Sequence, residues 1–399
     1  MLVERNEEVS DIDEAWVYLT ATVTALQITI STQSISWLLL HESPIGNHYL
    51  SGKGSSKIAR LLSDEEALHK GQSPLHIAAE AGDESSLRLL LNNGEDIESR
   101  DERGWTPLHN AAFNGRVLQV RLLLEHGAII DAEDVSERSS LMLAADKGHA
   151  DVVKELLQHG ANVNLSRRNA LSPLNRALMG DHTNTVKILL DAGANPTGRD
   201  QFGYAPLFMA SKDVQLVDLL IAAGAEPAEY LNGGTTILHL AARAGNLSLL
   251  ERLLALGVAV DLPEGGKTNG ITPLSRAIEE QEEAAISLLL SHGANPNHPM
   301  EDTWTCVLQA AKIGNYNIVK MLVQYGADVH TACRPEGWTA LHIGCQEGHR
   351  LIVRLLLEAG WEINARDANG ATPLQLARAA GHSAVVEILR KSKGVIRLE

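Results

Sequence analysis

A four-residue phrase recurs along this chain at an almost fixed interval, and that period restricts the fold more than any other property. Its clearest copies are Ser73-Pro74-Leu75-His76, Thr106-Pro107-Leu108-His109, Ser172-Pro173-Leu174-Asn175, Thr236-Ile237-Leu238-His239, Thr272-Pro273-Leu274-Ser275, Thr339-Ala340-Leu341-His342 and Thr372-Pro373-Leu374-Gln375. Weaker copies begin at Ser139, Ala205 and Thr305. The ten starts are 73, 106, 139, 172, 205, 236, 272, 305, 339 and 372, so successive differences are 33, 33, 33, 33, 31, 36, 33, 34 and 33. Short units repeated in tandem cannot enclose one deep core; each must bury its apolar face against its neighbours. The side chains suit thin layers, because aromatics are only 4% of the 399 residues and the apolar positions fall to Leu, Ala, Val and Ile.

Each unit reads as two short helices and an extended link. Proline in the first helical turn loses no hydrogen bond, since its N–H would have had no partner there. The Ser or Thr before it can cap the helix. A small pair such as Ala78-Ala79, Ala111-Ala112, Ala144-Ala145 or Ala241-Ala242 lets a neighbouring helix approach, and a glycine follows (Gly82, Gly115, Gly148, Gly245, Gly314, Gly348, Gly381). A second, amphipathic helix comes next, for example Val152-Val153-Lys154-Glu155-Leu156-Leu157. It closes at a second glycine, where a left-handed C-cap is expected. Polar stretches such as Asp101-Glu102-Arg103-Gly104 carry the chain onward.

These residues resemble the ankyrin repeat family, in unit length and in the Thr-Pro-Leu-His signature, over residues 71–393. The resemblance implies an all-α fold, an α-solenoid with β-hairpin fingers built as a stack of ten ankyrin repeats. Residues 1–70 form an N-terminal segment expected to cap the first repeat, and residues 394–399 a short tail. Two irregularities interrupt the array: the fifth unit is two residues short between Ala210 and Leu219, and the link from Val258 to Gly270 is three residues long beyond the standard. Together they are expected to weaken the stack around residues 205–235.

Several activities are excluded or disfavoured. The net charge of −16, from 34 basic and 50 acidic residues, has the wrong sign for gripping a phosphate backbone, so no nucleic acid is expected as partner. Residues 15–40 are uncharged, but ten of those 26 residues are Ser, Thr or Gln, which argues against a membrane span. Three cysteines, Cys306, Cys333 and Cys345, cannot make a disulfide framework and point to a reducing compartment, cytoplasmic or nuclear. His330, Cys333, His342, Cys345 and His349 approach the spacing of a zinc site, but the repeat register sends Cys345 to the core and His342 to the signature position. The family resemblance makes His76, His109, His239 and His342 structural, bonding to backbone and to the Ser or Thr hydroxyl. No HExxH, GxSxG or CxxC motif occurs, so no enzyme and no cofactor are expected.

The resemblance implies a non-catalytic scaffold or adaptor, a monomer that binds another protein through the concave face and finger tips. Two columns project there. The residue before the Thr or Ser contributes Trp105, Arg138, Leu171, Tyr204, Trp304 and Trp338, and the residue after the small pair contributes Phe113, Met179, Arg243 and Glu279. Aromatic rings typify binding hot spots. The acidic run Glu279, Glu280, Glu282, Glu283 favours a partner with a basic surface. The alternative is a sensor or substrate-recognition arm of an ATPase- or ligase-linked system. It rests on Ser51-Gly52-Lys53-Gly54-Ser55-Ser56-Lys57, which looks like a worn nucleotide loop of NACHT-type ATPases. A phosphate loop ends in Gly-Lys-Ser/Thr, and this stretch does not.

Overall fold

The computed structural model describes residues 71–396, apart from 167–170, 201, 231–233, 267–269, 301–302 and 329. The chain divides into two compact units, Met1–Val135 and Ser136–Glu399, the first of them described from residue 71. It is all-α: twenty helices and no β-strand occur among the described residues.

The first unit holds α1 (Pro74–Ala81), α2 (Glu84–Asn92), α3 (Pro107–Phe113) and α4 (Val117–Glu125). The second holds α5 (Ser140–Asp146), α6 (Ala150–Gln158), α7 (Pro173–Met179), α8 (Thr183–Asp191), α9 (Pro206–Met209), α10 (Val214–Ala222), α11 (Ile237–Arg243) and α12 (Leu247–Ala255). It continues with α13 (Pro273–Glu279), α14 (Glu283–Ser291), α15 (Cys306–Ile313), α16 (Tyr316–Gln324), α17 (Ala340–Gln346), α18 (Arg350–Glu358), α19 (Pro373–Ala379) and α20 (Ser383–Ile396). Odd-numbered helices are the first helices of the ten repeats and even-numbered ones the second. Within each of the two units a first helix packs on its own second helix, and helices pack on their equivalents in the next repeat, with α9 on α11 the weak exception.

Local chemistry explains where the helices begin. Ser139, Ser172 and Thr272 accept a hydrogen bond from the backbone N–H three residues on, at 3.3, 3.2 and 3.3 Å. The small pairs do let helices close up: Ala144, Ala145, Ala241, Ala242, Ala310 and Ala311 have no exposed surface. The second helices bury a Val or Leu pair and a following Leu, as in Val152, Val153 and Leu156. Burying such side chains is worth roughly 1.5–3 kcal/mol each, and the repetition multiplies it.

The fingers are turns rather than β-ladders. Each closes with a backbone hydrogen bond, from Asp101 N to the Trp105 carbonyl (3.0 Å), Asp200 to Tyr204 (3.0 Å), Met300 to Trp304 (2.8 Å), Cys333 to Trp338 (3.0 Å) and Asp367 to Ala371 (2.9 Å), and in all but the Met300 turn a glycine N–H bonds back to the first residue's carbonyl at 2.8–2.9 Å. In three of them the aspartate is the organiser. One carboxylate oxygen of Asp101, Asp200 and Asp367 accepts two backbone N–H groups of its own turn, at 2.7–2.9 Å.

The two irregularities have different outcomes. The fifth repeat pays for its missing residues with its first helix, since α9 has four residues where its equivalents have seven or eight. The long link after the sixth repeat is folded in as a 3-10 turn, Glu264–Gly266. There Glu264 takes two hydrogen bonds from the Arg276 guanidinium at 3.0 and 2.9 Å, which ties the extra residues to α13.

Candidate protein-binding surface

The signature histidines come first, because they fix the helices that carry the surface. In α1 the His76 Nδ1 accepts the Ser73 N–H at 3.1 Å, so the proton of the neutral ring sits on Nε2, which donates to the Trp105 carbonyl at 2.8 Å. His239 repeats this with Thr236 N (3.3 Å) and the Ile271 carbonyl (3.0 Å). His342 does so with Thr339 N (3.3 Å) and the Ala365 carbonyl (3.2 Å). Each ring therefore caps its own helix and braces the following finger. Burial lowers all three pKa values below the ordinary histidine value, against the raising effect of the carbonyl bonds. They are neutral struts, each bonded to its own helix start and to the following finger. His109 makes the same contact with Thr106, N to Nδ1 at 3.1 Å.

No other chemistry gathers. Among the described residues no group of His, Cys, Asp or Glu could hold a metal ion. Cys333 and Cys345 are buried, in a finger and in α17 respectively. Burial pushes the Cys306 and Cys345 thiols up to about 12. The segment Gly52–Lys57 lies outside the described residues.

The projected columns fall into three groups. Trp105 does not project at all: it is 4% exposed, donates Nε1–H to Asp134 at 2.9 Å, lies under the Arg103 guanidinium at 3.8 Å and meets Phe113 at 5.0 Å between centroids. The expected hot-spot ring is a finger post, because an indole N–H bonded to the next finger's aspartate pulls the ring inward. Trp338 makes the same bond to Asp367 at 3.2 Å but stays half-buried. Burial pushes the Asp367 carboxyl up, yet the Ala371 N–H, the Trp338 indole and the Asn369 N–H hold it below its usual value.

Charged candidates form the second group. Arg243 is exposed and pairs with Glu280 at 2.9 Å, and Glu279 is exposed and pairs with Arg276 at 2.7 Å. The acidic run is therefore partly neutralised by arginines of its own and the preceding repeat. Trp304 is half-buried with the Lys312 ammonium 5.5 Å from its ring, and Arg138 and Leu171 are half-buried.

The third group centres on the fifth repeat. Tyr204 stacks on Phe208 at 4.4 Å with 21° between planes and touches Phe202 at 6.5 Å. Phe202 is 60% exposed, and Met179, at the end of the preceding first helix, 63%. Two of the chain's three phenylalanines are in this cluster. The columns anticipated Tyr204 and Met179 but not Phe202 or Phe208. Phe208 stands where other repeats carry the signature histidine, and Ala205 where they carry Thr. That double departure was the available signal. An apolar ring cannot brace the next finger by hydrogen bonding, so it stacks on the tyrosine before its own helix.

This helix pair, capping scheme and finger, ten times over, is matched by the family model for ankyrin repeats (3 copies), over residues 47–134, 75–167, 141–230, 207–300 and 307–397. The chain belongs to the ankyrin repeat family. Its relatives include SH3 and multiple ankyrin repeat domains protein 2 of Homo sapiens, 32% identical over 195 residues, which are 48% of this chain and 10% of that protein. The B-cell lymphoma 3 protein homolog of Mus musculus is 34% identical over 178 residues, 44% of this ankyrin chain and 39% of the relative. Potassium channel AKT1 of Arabidopsis thaliana is 36% identical over 180 residues, 45% of this chain and 20% of the channel. The shared part is thus less than half of each relative's length. Ankyrin repeats mediate protein–protein interaction. Among the described residues, no helix is long and apolar enough to cross a membrane.

Proposed function

We propose that this ankyrin chain is a non-catalytic scaffold or adaptor that binds another protein through its finger tips and the exposed ends of its first helices. The observation that carries the reading is the Phe202, Tyr204, Phe208 and Met179 surface. A chain with 4% aromatics leaves Phe202 and Met179 more than half exposed on two successive repeats, with half-buried Tyr204 and Phe208 beside Phe202. Such a patch on an otherwise polar face is the composition of a binding hot spot. Arg138, Leu171, Arg243, Glu279, Trp304 and Trp338 extend the proposed contact surface of the second unit, and in the first unit Phe113, with Trp105 beside it, offers a contact of its own. The array runs from 71 to 393, flanked by the N-terminal segment and tail. The chain acts as a monomer, and its buried free cysteines suit a cytoplasmic or nuclear setting.

The test is capture of partner proteins from a lysate by the full chain and by Phe202→Ala with Met179→Ala. Both residues are more than half exposed, so the melting temperature should hold while capture of the specific partner falls at least tenfold, the size of a lost hot spot. Equal capture by the double variant would refute the assignment of this surface. A pull-down in which nothing is retained above a bare-resin control would refute the scaffold itself.

A further inference from the structure

Two arginines hold the same place in their repeats, the fourth residue of the first helix, and have opposite surroundings. Arg276 on α13 directs all three guanidinium nitrogens to carboxylates: Nε and Nη2 donate to Glu264 at 3.0 and 2.9 Å, and Nη1 to Glu279 at 2.7 Å. Arg176 on α7 is buried to the same degree, its side chain 23% exposed against 24%. Yet its Nε is buried with no hydrogen-bond partner among the described residues. The Asp146 carboxylate stands 3.7 Å from its Nη1 and also faces Lys147 at 3.9 Å. The link into α7, residues 162–171, contains no Asp or Glu that could take the place of Glu264. A guanidinium drawn partly out of water without its hydrogen bonds is destabilised, and a carboxylate is the group whose two oxygens match its fork.

The repeat register sets apolar groups beside this arginine. The fourth residue of one first helix meets the seventh of the first helix before it: Asn110 on α3 reaches Glu80 on α1 at 3.4 Å, and Arg176 reaches Asp146 on α5. The seventh residue of α7 is Met179 and the fourth of α9 is Met209, on helices that pack together, so the same rule makes the two methionines neighbours. Met179 also lies three residues on from Arg176, on the same face of α7. Met179 is 63% exposed and Met209 half-buried, and Phe202 and Tyr204 stand on the finger before α9. Thioethers on flexible chains adapt to many apolar shapes. An under-paired guanidinium thus stands at the edge of an adaptable apolar platform.

We propose that repeats four and five bind a peptide segment of a partner that carries an Asp or Glu close to a large apolar residue. The carboxylate pairs with the Arg176 guanidinium, and the apolar side chain lies on Met179, Met209 and Phe202. This rests on the reading of that patch as the contact surface and adds the chemistry of what it takes. The local demand is for an acidic group, although the chain as a whole carries −16 and attracts a basic one. Pairing only on binding gives selectivity, because a segment without the carboxylate would cover the guanidinium and leave it uncompensated.

Selection of short random peptides displayed on phage, against the full chain, tests it. Enriched peptides should carry Asp or Glu close to Leu, Met, Phe or Trp. One of them is then measured by fluorescence polarisation, with its acid intact or changed to the amide, on wild type and on Arg176→Gln. Either change should weaken binding roughly tenfold, and both together no more than one alone, since they remove the same pair. The peptide change leaves the fold untouched, and Arg176→Gln should keep the wild-type melting temperature because the guanidinium has no close carboxylate in the free chain. Enriched peptides without an acid, or losses that add, would overturn the carboxylate pairing; the surface itself would still stand if Phe202→Ala with Met179→Ala abolished their binding. Acidic peptides that bind this double variant as well as wild type would overturn the surface and the pairing together. No enrichment at all would overturn the proposal.

Discussion

Replacing His239 isolates what a signature histidine contributes. In His239→Ala the Thr236 N–H, on a residue with no exposed surface, loses its acceptor at 3.3 Å, and the Ile271 carbonyl loses its donor at 3.0 Å. A buried polar group left without a partner costs about 1–3 kcal/mol. Ile271 is half-buried, so water can reach part of its carbonyl and that loss falls at the low end. The total is then about 2–4 kcal/mol. His239→Gln separates the two bonds. In the last repeat the Gln375 Oε1 accepts the Thr372 N–H at 2.8 Å, so glutamine can keep the cap while giving up the strut. It should cost about 1 kcal/mol. Urea unfolding followed by circular dichroism gives the order wild type, Gln, Ala. Because repeat arrays need not unfold in one step, exchange at α11 and α13 should be measured alongside, and should rise there while α17 and α18 stay protected. An alanine variant with the wild-type midpoint and wild-type exchange would refute the strut. A glutamine variant as damaged as the alanine one would refute the capping share.

Three further outcomes are expected. His76, His239 and His342 have folded pKa values below their unfolded ones, so their contribution is complete above about pH 6.5 and declines as pH falls below it, by at most about 1.4 kcal/mol per pH unit for each; urea midpoints at pH 7.5 and 5.5 should show the loss, with a shallower fall in His239→Gln. Gly148→Ala should destabilise by about 1–3 kcal/mol, because φ is +69° and the new Cβ would meet the His182 ring, whereas Gly160→Ala, equally left-handed but open, should cost less, and thermal melts compare them. Amides over residues 205–230 should exchange before those of α5 and α6, because α9 is a single turn without a histidine strut; uniform protection would contradict this.

Much of this was legible in the chain itself. The 33-residue period, with proline at six of the ten first-helix starts, Ser or Thr before nine and glycine at most turns, sets the helices, since all are short-range backbone effects that a local sequence carries in full. The buried Cys345 followed from the same register, and the structural role of the signature histidines from the family resemblance. Tertiary structure decided what the surface does. Trp105 and Trp338 occupy one position in the repeat, yet Trp105 sinks beneath Arg103 and beside Phe113 whereas Trp338 remains half-buried. Glu279 and Glu280 read as an acidic site, but Arg276 pairs with Glu279 within one helix, and Arg243 reaches Glu280 from the preceding repeat, a contact that only folding makes. The strands expected in the fingers gave way to aspartate-centred turns. The long link became a turn fastened by Arg276 to Glu264. A periodic pattern states which side chains must be buried for the repeats to stack. Which exposed groups find partners depends on distances between residues about 30 positions apart, and those exist only once the layers have packed.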